Sequence, residues 1–181
     1  MEKAVKDIMI YIDKHPRISS TSSVKDAVAE LIGALRSGTC FNNTPLLVME
    51  KNNLVGLLGI KEIMQAINPV VFKEGIYRGW STSDEWSQPL FLKGLFTEKS
   101  KEISDLRVSD IMRPADQFLS LSDNLLKALH VLTLNGFEAV PVWHDGRVAG
   151  MVGVMEIMNE IAAIQTENDP GMEATIKQAA V

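Results

Sequence analysis

The chain carries one pattern twice, and that constrains its fold more than any other feature. Val5, Asp7, Ile8 and Met9 recur 103 residues later as Val108, Asp110, Ile111 and Met112. Gly56, Gly59, Glu62, Ile63 and Met64 recur 94 residues later as Gly150, Gly153, Glu156, Ile157 and Met158. Between these ends Ala27 matches Ala128, Leu31 matches Leu132, Gly38 matches Gly136 and Pro45 matches Pro141. On this alignment the first copy is nine residues longer: two before Ile18/Leu119, three between Ala27/Ala128 and Gly38/Gly136, and two on either side of Pro45/Pro141. Three residues are nearly one helical turn, and two in a hairpin add one per strand, so a shared fold would absorb both. A copy of about 60 residues shields little of its own surface, so the two are expected to pack together and share a core.

Each copy gives the same local reading. Ile18 or Leu119 opens a short extended piece. Ser22 and Ser23, or Asp123 and Asn124, then offer side-chain oxygens to the free N–H groups of a helix start. Val24, Ala27, Val28, Leu31, Ile32 and Leu35 follow at amphipathic helical spacing, as do Leu125, Ala128, Leu129 and Leu132. Gly38 and Gly136 are placed to end these helices. Leu46–Met49 is expected to turn through Asn52-Asn53 into Leu54–Leu58, and Val142-Trp143 through Asp145-Gly146 into Val148 onward. Helices over about Lys61–Ile67 and Met155–Ile164 close the copies. The fold class is therefore α+β, with two β-α-β-β-α repeats. The expected domains are 1–68 and 105–164 for the repeats, 69–104 for an insertion and 165–181 for a tail.

Composition removes several classes of function. Lys and Arg number 18 against 23 Asp and Glu, a net of −5, so no phosphate-neutralising surface for nucleic acid is expected. The longest apolar run, Val148–Met155, is far short of the roughly 20 residues of a membrane span. Met1–Asp7 lacks the basic start and apolar core of a signal peptide. The single cysteine, Cys40, excludes an internal disulfide and a multi-cysteine metal site. His15, His130 and His144 are not spaced as metal ligands. Nucleophile-elbow, Walker and dinucleotide-binding motifs are absent, so neither a metal centre nor an enzyme is expected. The expectation is a cytoplasmic, non-catalytic protein.

The unit opened by V-x-D-I-M, with an apolar-Pro strand and G-x-x-x-x-x-[D/E] leading into a helix, resembles a CBS domain. Two in tandem over roughly 5–68 and 108–164 resemble the CBS pair, or Bateman module. The resemblance implies repeats packed as a pseudo-twofold pair with two inter-repeat clefts, a homodimer, and no catalysis. It implies regulation through an adenine-containing ligand such as AMP, ADP, ATP or S-adenosylmethionine, with no required cofactor. No effector domain occurs within these residues, so a protein partner in trans is expected.

The residues that match the family's ligand cleft are Met9, Ile18, Asn43, Thr44, Pro45, Gly59 and Glu62 for the first copy. For the second they are Met112, Arg113, Leu119, Glu138, Ala139, Pro141, Gly153 and Glu156. The family's G-x-x-[T/S]-x-x-D is altered, with Gly59 and Gly153 at the hydroxyl position and Glu62 and Glu156 at the Asp position. Two readings stay open. The glutamates accept from ribose hydroxyls while glycine lets backbone N–H groups approach an anion. Alternatively, glycine permits close packing and the glutamates are first-turn acids favoured by the helix dipole. Ala139 is small enough for a base to approach, whereas Glu138 places a negative charge beside any phosphate; Arg113 is a candidate phosphate partner.

Residues 69–104 contain Tyr77, Trp80, Trp86 and Phe91, an aromatic density unlike a flexible tether. Thr82–Glu85 has the form of a capping box, and a helix could run from Trp86 to Phe96, weakened by Gly94. These aromatics are candidate partner contacts in an alternative reading, a ligand-free interaction or dimerisation scaffold.

Overall fold

The computed structural model describes residues 2–37, 44–68 and 94–168. The described chain forms two compact units that do not run in sequence order. One joins the residues up to His15 with those from Asp116 onward, and the other spans Pro16 to Ala115. Sequence repeat and compact unit are thus different divisions of the chain.

In the unit from Pro16 to Ala115, β2 (Arg17–Ser19), α2 (Val24–Arg36), β3 (Leu46–Glu50), β4 (Asn53–Leu58) and α3 (Ile60–Ile67) give the expected β-α-β-β-α order. They are followed by α4 (Leu95–Ser104), α5 (Val108–Ile111) and β5 (Arg113–Pro114). The sheet order is β2-β3-β4-β5, with β2 parallel to β3 and the other pairs antiparallel. The other unit begins with α1 (Val5–Ile8) and β1 (Ile10–Tyr11). It continues with β6 (Leu119–Ser120), α6 (Leu125–Asn135), β7 (Ala139–His144), β8 (Arg147–Gly153) and α7 (Val154–Asn168). Its sheet order, β1-β8-β7-β6, repeats the same directions.

The segment ahead of each copy therefore completes the sheet of the other copy. Val5 packs in a core with Leu119, Ala128, Leu132, Val140, Val142, Val152 and Ile157. Val108 packs with Ala27, Leu31, Leu46, Val48 and Leu58. Both valines are fully buried. The valine and aspartate hydrogen bonds of the clasp are duplicated. Val5 N–H donates to the Asp123 carbonyl and Val108 N–H to that of Ser22, each at 2.9 Å. Asp7 and Asp110 each turn back to accept the backbone N–H three residues earlier, at 2.8 and 3.0 Å. Gly56 and Gly150 admit the incoming strand. A Cβ on Gly56 would press on the Met112 sulfur and lie 2.9 Å from the Arg113 carbonyl oxygen, and one on Gly150 would overlap that of Ile10.

Sheet register corrects the alignment inside the hairpins. Val48 opposes Gly56 and Val142 opposes Gly150, so the hairpins are equal in length and the 94-residue offset reaches back to Leu46 and Val140. Pro45 is then equivalent to Ala139, and Pro141 to Leu47. The surplus residues lie ahead of Leu46, where length changes leave strand pairing untouched. The first hairpin turns at Lys51-Asn52 (φ +47° and +70°), one residue before the expected Asn52-Asn53, because Asn53 pairs with Glu50. Asp145-Gly146 turns as expected (φ +48° and +77°). Ser23 and Asn124 cap α2 and α6 through their side chains, and Gly136 ends α6 at φ +58°. Gly94, at φ +82°, stands outside α4 as its N-terminal boundary, so no helix runs through it to Phe96; the rest of the expected span, Trp86 to Lys93, lies outside the described residues. Gly38 and the capping box Thr82–Glu85 lie outside the described residues. Among the described residues no helix is long and apolar enough to cross a membrane.

Candidate ligand sites at the strand-to-helix junctions

Each β4–α3-type junction brings its glycine and glutamate together in the same way. The Gly59 N–H donates to Glu62 Oε2 at 2.9 Å, and the Gly153 N–H to Glu156 Oε2 at 2.8 Å. A carboxylate in the first turn that reaches back satisfies a donor the helix leaves unpaired and sits at the positive end of its dipole. The glycine at the second junction sits close to its neighbours, the nearest of them the movable end of the Glu156 side chain. A Cβ on Gly153 would lie 2.8 Å from that Glu156 oxygen and 3.1 Å from the Glu138 carbonyl oxygen. The Glu138 carbonyl also accepts the Val154 N–H at 3.0 Å, tying the start of β7 to the start of α7. Both glutamates thus serve as helix caps in this geometry, with their remaining lone pairs the only part of the carboxylate left for a ligand.

The junctions differ in what faces the carboxylate. Arg113 Nε lies 3.5 Å from Glu62 Oε1, and both side chains are largely shielded, 22% and 12% exposed. Arg113 reaches there because β5 pairs with β4, placing Arg113 opposite Leu57. The equivalent pairing of β1 with β8 places Ile10 opposite Met151. Ile10 therefore occupies the place of Arg113, and no cation among the described residues pairs with Glu156.

The structure sorts the remaining residues by unit. Ile18 and Met112 pack half-buried on the core of the Pro16–Ala115 unit, with Thr44 half-buried and Pro45 buried ahead of β3. Met9 packs half-buried on the core of the other unit. There Leu119, Ala139 and Pro141 are buried, and Glu138 is half-buried. Because of the clasp, Met9 packs with Leu119 within one unit and Met112 with Ile18 within the other. Gly59, Glu62 and Arg113 converge at one junction; Glu138, Gly153 and Glu156 converge at the other. Asn43, Tyr77, Trp80, Trp86 and Phe91 lie outside the described residues. Sequence reasoning missed Ile10, although the signal was present: Met9-Ile10 stands where the second copy has Met112-Arg113. Among the described residues no group of three or more His, Cys, Asp or Glu side chains is placed to hold a metal ion.

Comparison with known proteins places this geometry. Residues 108–163 match the CBS domain family. The CBS-pair protein CBSX2 from Arabidopsis thaliana superposes with a TM-score of 0.64 at 20% identity, over 93% of this chain and 99% of that one. A structure of CBSX2 in complex with AMP gives 0.58 at 20% identity, over 90% and 98%. The cytosolic domain of the Mg2+ channel MgtE in complex with ATP gives 0.56 at 14% identity, over 88% of this chain and 49% of that one. No curated protein matches the sequence. The chain has the fold of a tandem CBS pair, and its second copy is matched as a CBS domain by sequence as well.

Proposed function

We propose that the chain is a non-catalytic regulatory CBS pair, a cytoplasmic homodimer that binds an adenine-containing ligand of the AMP, ADP, ATP or S-adenosylmethionine class and signals in trans to a partner protein. The repeats are taken as 1–68 and 105–164, separated by the insertion 69–104 and followed by the tail 165–181. The observation that carries this reading is the duplicated glycine–glutamate junction on a CBS-pair fold, with Arg113 beside Glu62 at one of them. Two structural neighbours, CBSX2 and MgtE, were solved with AMP and ATP respectively. In a regulatory pair, ligand binding shifts the population between two arrangements, and the partner reads that shift.

Thermal unfolding of the full chain with AMP, ADP, ATP and S-adenosylmethionine tests this. A ligand at 100 times its dissociation constant stabilises the native state by about 2.7 kcal/mol. For a chain of this size that raises Tm by roughly 5–10 °C. Glu62→Ala combined with Glu156→Ala is expected to reduce the shift; an unchanged affinity would remove both carboxylates from the site. One observation favours a second reading. Both glutamates already cap their own helices, which is also what an empty scaffold would show. In that case no adenine ligand shifts Tm, and Trp80→Ala with Trp86→Ala abolishes partner capture without loss of folding.

A further inference from the structure

In the Pro16–Ala115 unit, α4 lies against both α2 and α3, and its Ile103 is buried. The capping residues Ser23 and Asn124 align α2 with α6, and Gly59 and Gly153 align α3 with α7. Val24, Val28 and Ile63 then correspond to Leu125, Leu129 and Ile157. In the other unit these three line a groove of about 450 Å³ together with Leu126, Ile161 and Glu167. The groove is open, with Leu126 69% exposed and Ile161 37%. Leu126 stands where α2 has the exposed Lys25, so the open groove carries more apolar surface than its covered counterpart. We propose that the chain's own C-terminal segment, residues 169–181, docks in this groove as a helix, in the way that α4 covers α2 and α3. The inference is independent of the adenine-ligand reading.

The segment's starting point, pattern and length suit that place. It follows Asn168, the last residue of α7 and the neighbour of Glu167 in the groove lining. Asp169-Pro170 stops α7, because the residue before a proline is disfavoured in the α conformation. The same pair can open a new helix, with Asp as its N-cap and Pro at its first position. Met172, Ile176, Ala179 and Ala180 follow at i, i+4, i+7 and i+8, which is one apolar stripe. Glu173 stands four residues before Lys177, the favourable order for a helical ion pair. The ten residues from Met172 to Val181 make a helix of about 15 Å, the same rise as along α7 between Ile157 and Glu167. A helix that short is marginal alone in water, and burying its stripe against the groove supplies the missing stability. A docked tail also closes the groove to any other helix.

A nitroxide on Ala180→Cys tests this in the full chain, with Cys40→Ser so that the label finds a single thiol. The backbone amide NMR signals of Leu126, Leu129 and Ile161 are expected to lose most of their intensity while the nitroxide is paramagnetic and to regain it on reduction. Met172→Asp combined with Ile176→Asp is expected to abolish the loss. Leu126→Asp, at an exposed position outside the core, is expected to abolish it at Leu129 and Ile161. Mixing isotope-labelled chain that lacks the nitroxide with unlabelled chain that carries it is expected to leave the three signals intact. Broadening in that mixture as strong as within one chain would seat a second copy's tail in the groove and overturn the assignment. Signals unchanged by the nitroxide, or a loss that survives the double aspartate variant, would overturn it as well.

Discussion

The two units agree where the backbone makes the contact and part where side-chain charge does. Their clasps repeat the same valine hydrogen bond, the same aspartate cap and the same glycine at the entry of the foreign strand. Their junctions repeat the same glutamate cap. Yet the position facing that cap is Arg113 in one unit and Ile10 in the other, and the loop ahead of the helix ends in Ser22 in one and Asp123 in the other. A duplication keeps what the fold requires in both places, because a buried backbone group must be paired wherever it occurs. Charge at a half-exposed position carries no such obligation and is free to diverge.

The largest effects are expected at the entry glycines. Gly150→Ala drives a methyl into the Ile10 carbonyl oxygen, a backbone atom that cannot swing away, and is expected to cost about 3 kcal/mol, the upper range for overpacking. Gly56→Ala meets the flexible Met112 side chain first, with the Arg113 carbonyl oxygen at 2.9 Å, and is expected to cost about 1–2 kcal/mol. Urea unfolding of both variants decides the order; a larger loss for Gly56→Ala would mean that the clasps are not equivalently packed.

The clasp valines come next. Val5→Ala and Val108→Ala each remove two buried methyl groups, at about 2 kcal/mol. Their locations are expected to cross over. Val5→Ala should loosen hydrogen-exchange protection across β7 and β8, and Val108→Ala across β3 and β4. Protection lost in the neighbouring copy of the sequence, Val5 acting on β3 and β4, would break the exchange of segments.

Much of this is legible in the sequence. The duplication gave the β-α-β-β-α order, because periodicity, caps and turn residues act locally and occur twice. The exchange of edge strands was not legible. V-x-D-I-M precedes its copy in sequence, and nothing local says that Val5 is buried beside Leu119. Two matching prolines also misled the alignment, because proline marks identity of residue whereas hydrogen-bond register marks identity of place. At the junctions, sequence supplied Gly59, Glu62, Gly153 and Glu156 and left their role open. The hydrogen bonds from the Gly59 and Gly153 N–H groups show the capping function. Arg113 was named as a cation, but its nearness to Glu62 depends on β5 pairing with β4.

Capping sharpens the comparison on a smaller scale. Ser23 accepts from the Asp26 N–H at 3.1 Å and Asn124 from the Lys127 N–H at 2.8 Å. Ser23→Ala and Asn124→Ala are each expected to cost about 1 kcal/mol by chemical denaturation, since both open a helix in the same position. A difference much beyond that would place unequal weight on α2 and α6.

The smallest expected effect is a difference in acid sensitivity. Burial opposes ionisation of Asp123, but the hydrogen bond from Lys127 Nζ at 2.7 Å, that from the Ser120 N–H at 2.8 Å and the lysine's charge together lower its pKa below the usual 3.8. A carboxylate whose folded pKa is depressed contributes stability above its unfolded pKa, and that contribution disappears as pH falls through the folded value. The unit holding Asp123 is therefore expected to lose stability below about pH 4 beyond what other acids remove. Ser22, which holds the same place in the other unit, does not titrate there and contributes no such loss. Lys127→Ala removes the first of the lowering contacts without touching the core, because the lysine side chain is about half exposed. Hydrogen exchange followed from pH 6 to pH 3 is expected to show β7 and β8 losing protection before β3 and β4, and Lys127→Ala is expected to narrow that gap. Simultaneous loss in both sheets would mean that Asp123 is held by its backbone partner alone, and that the charge difference between the units does not reach their stability.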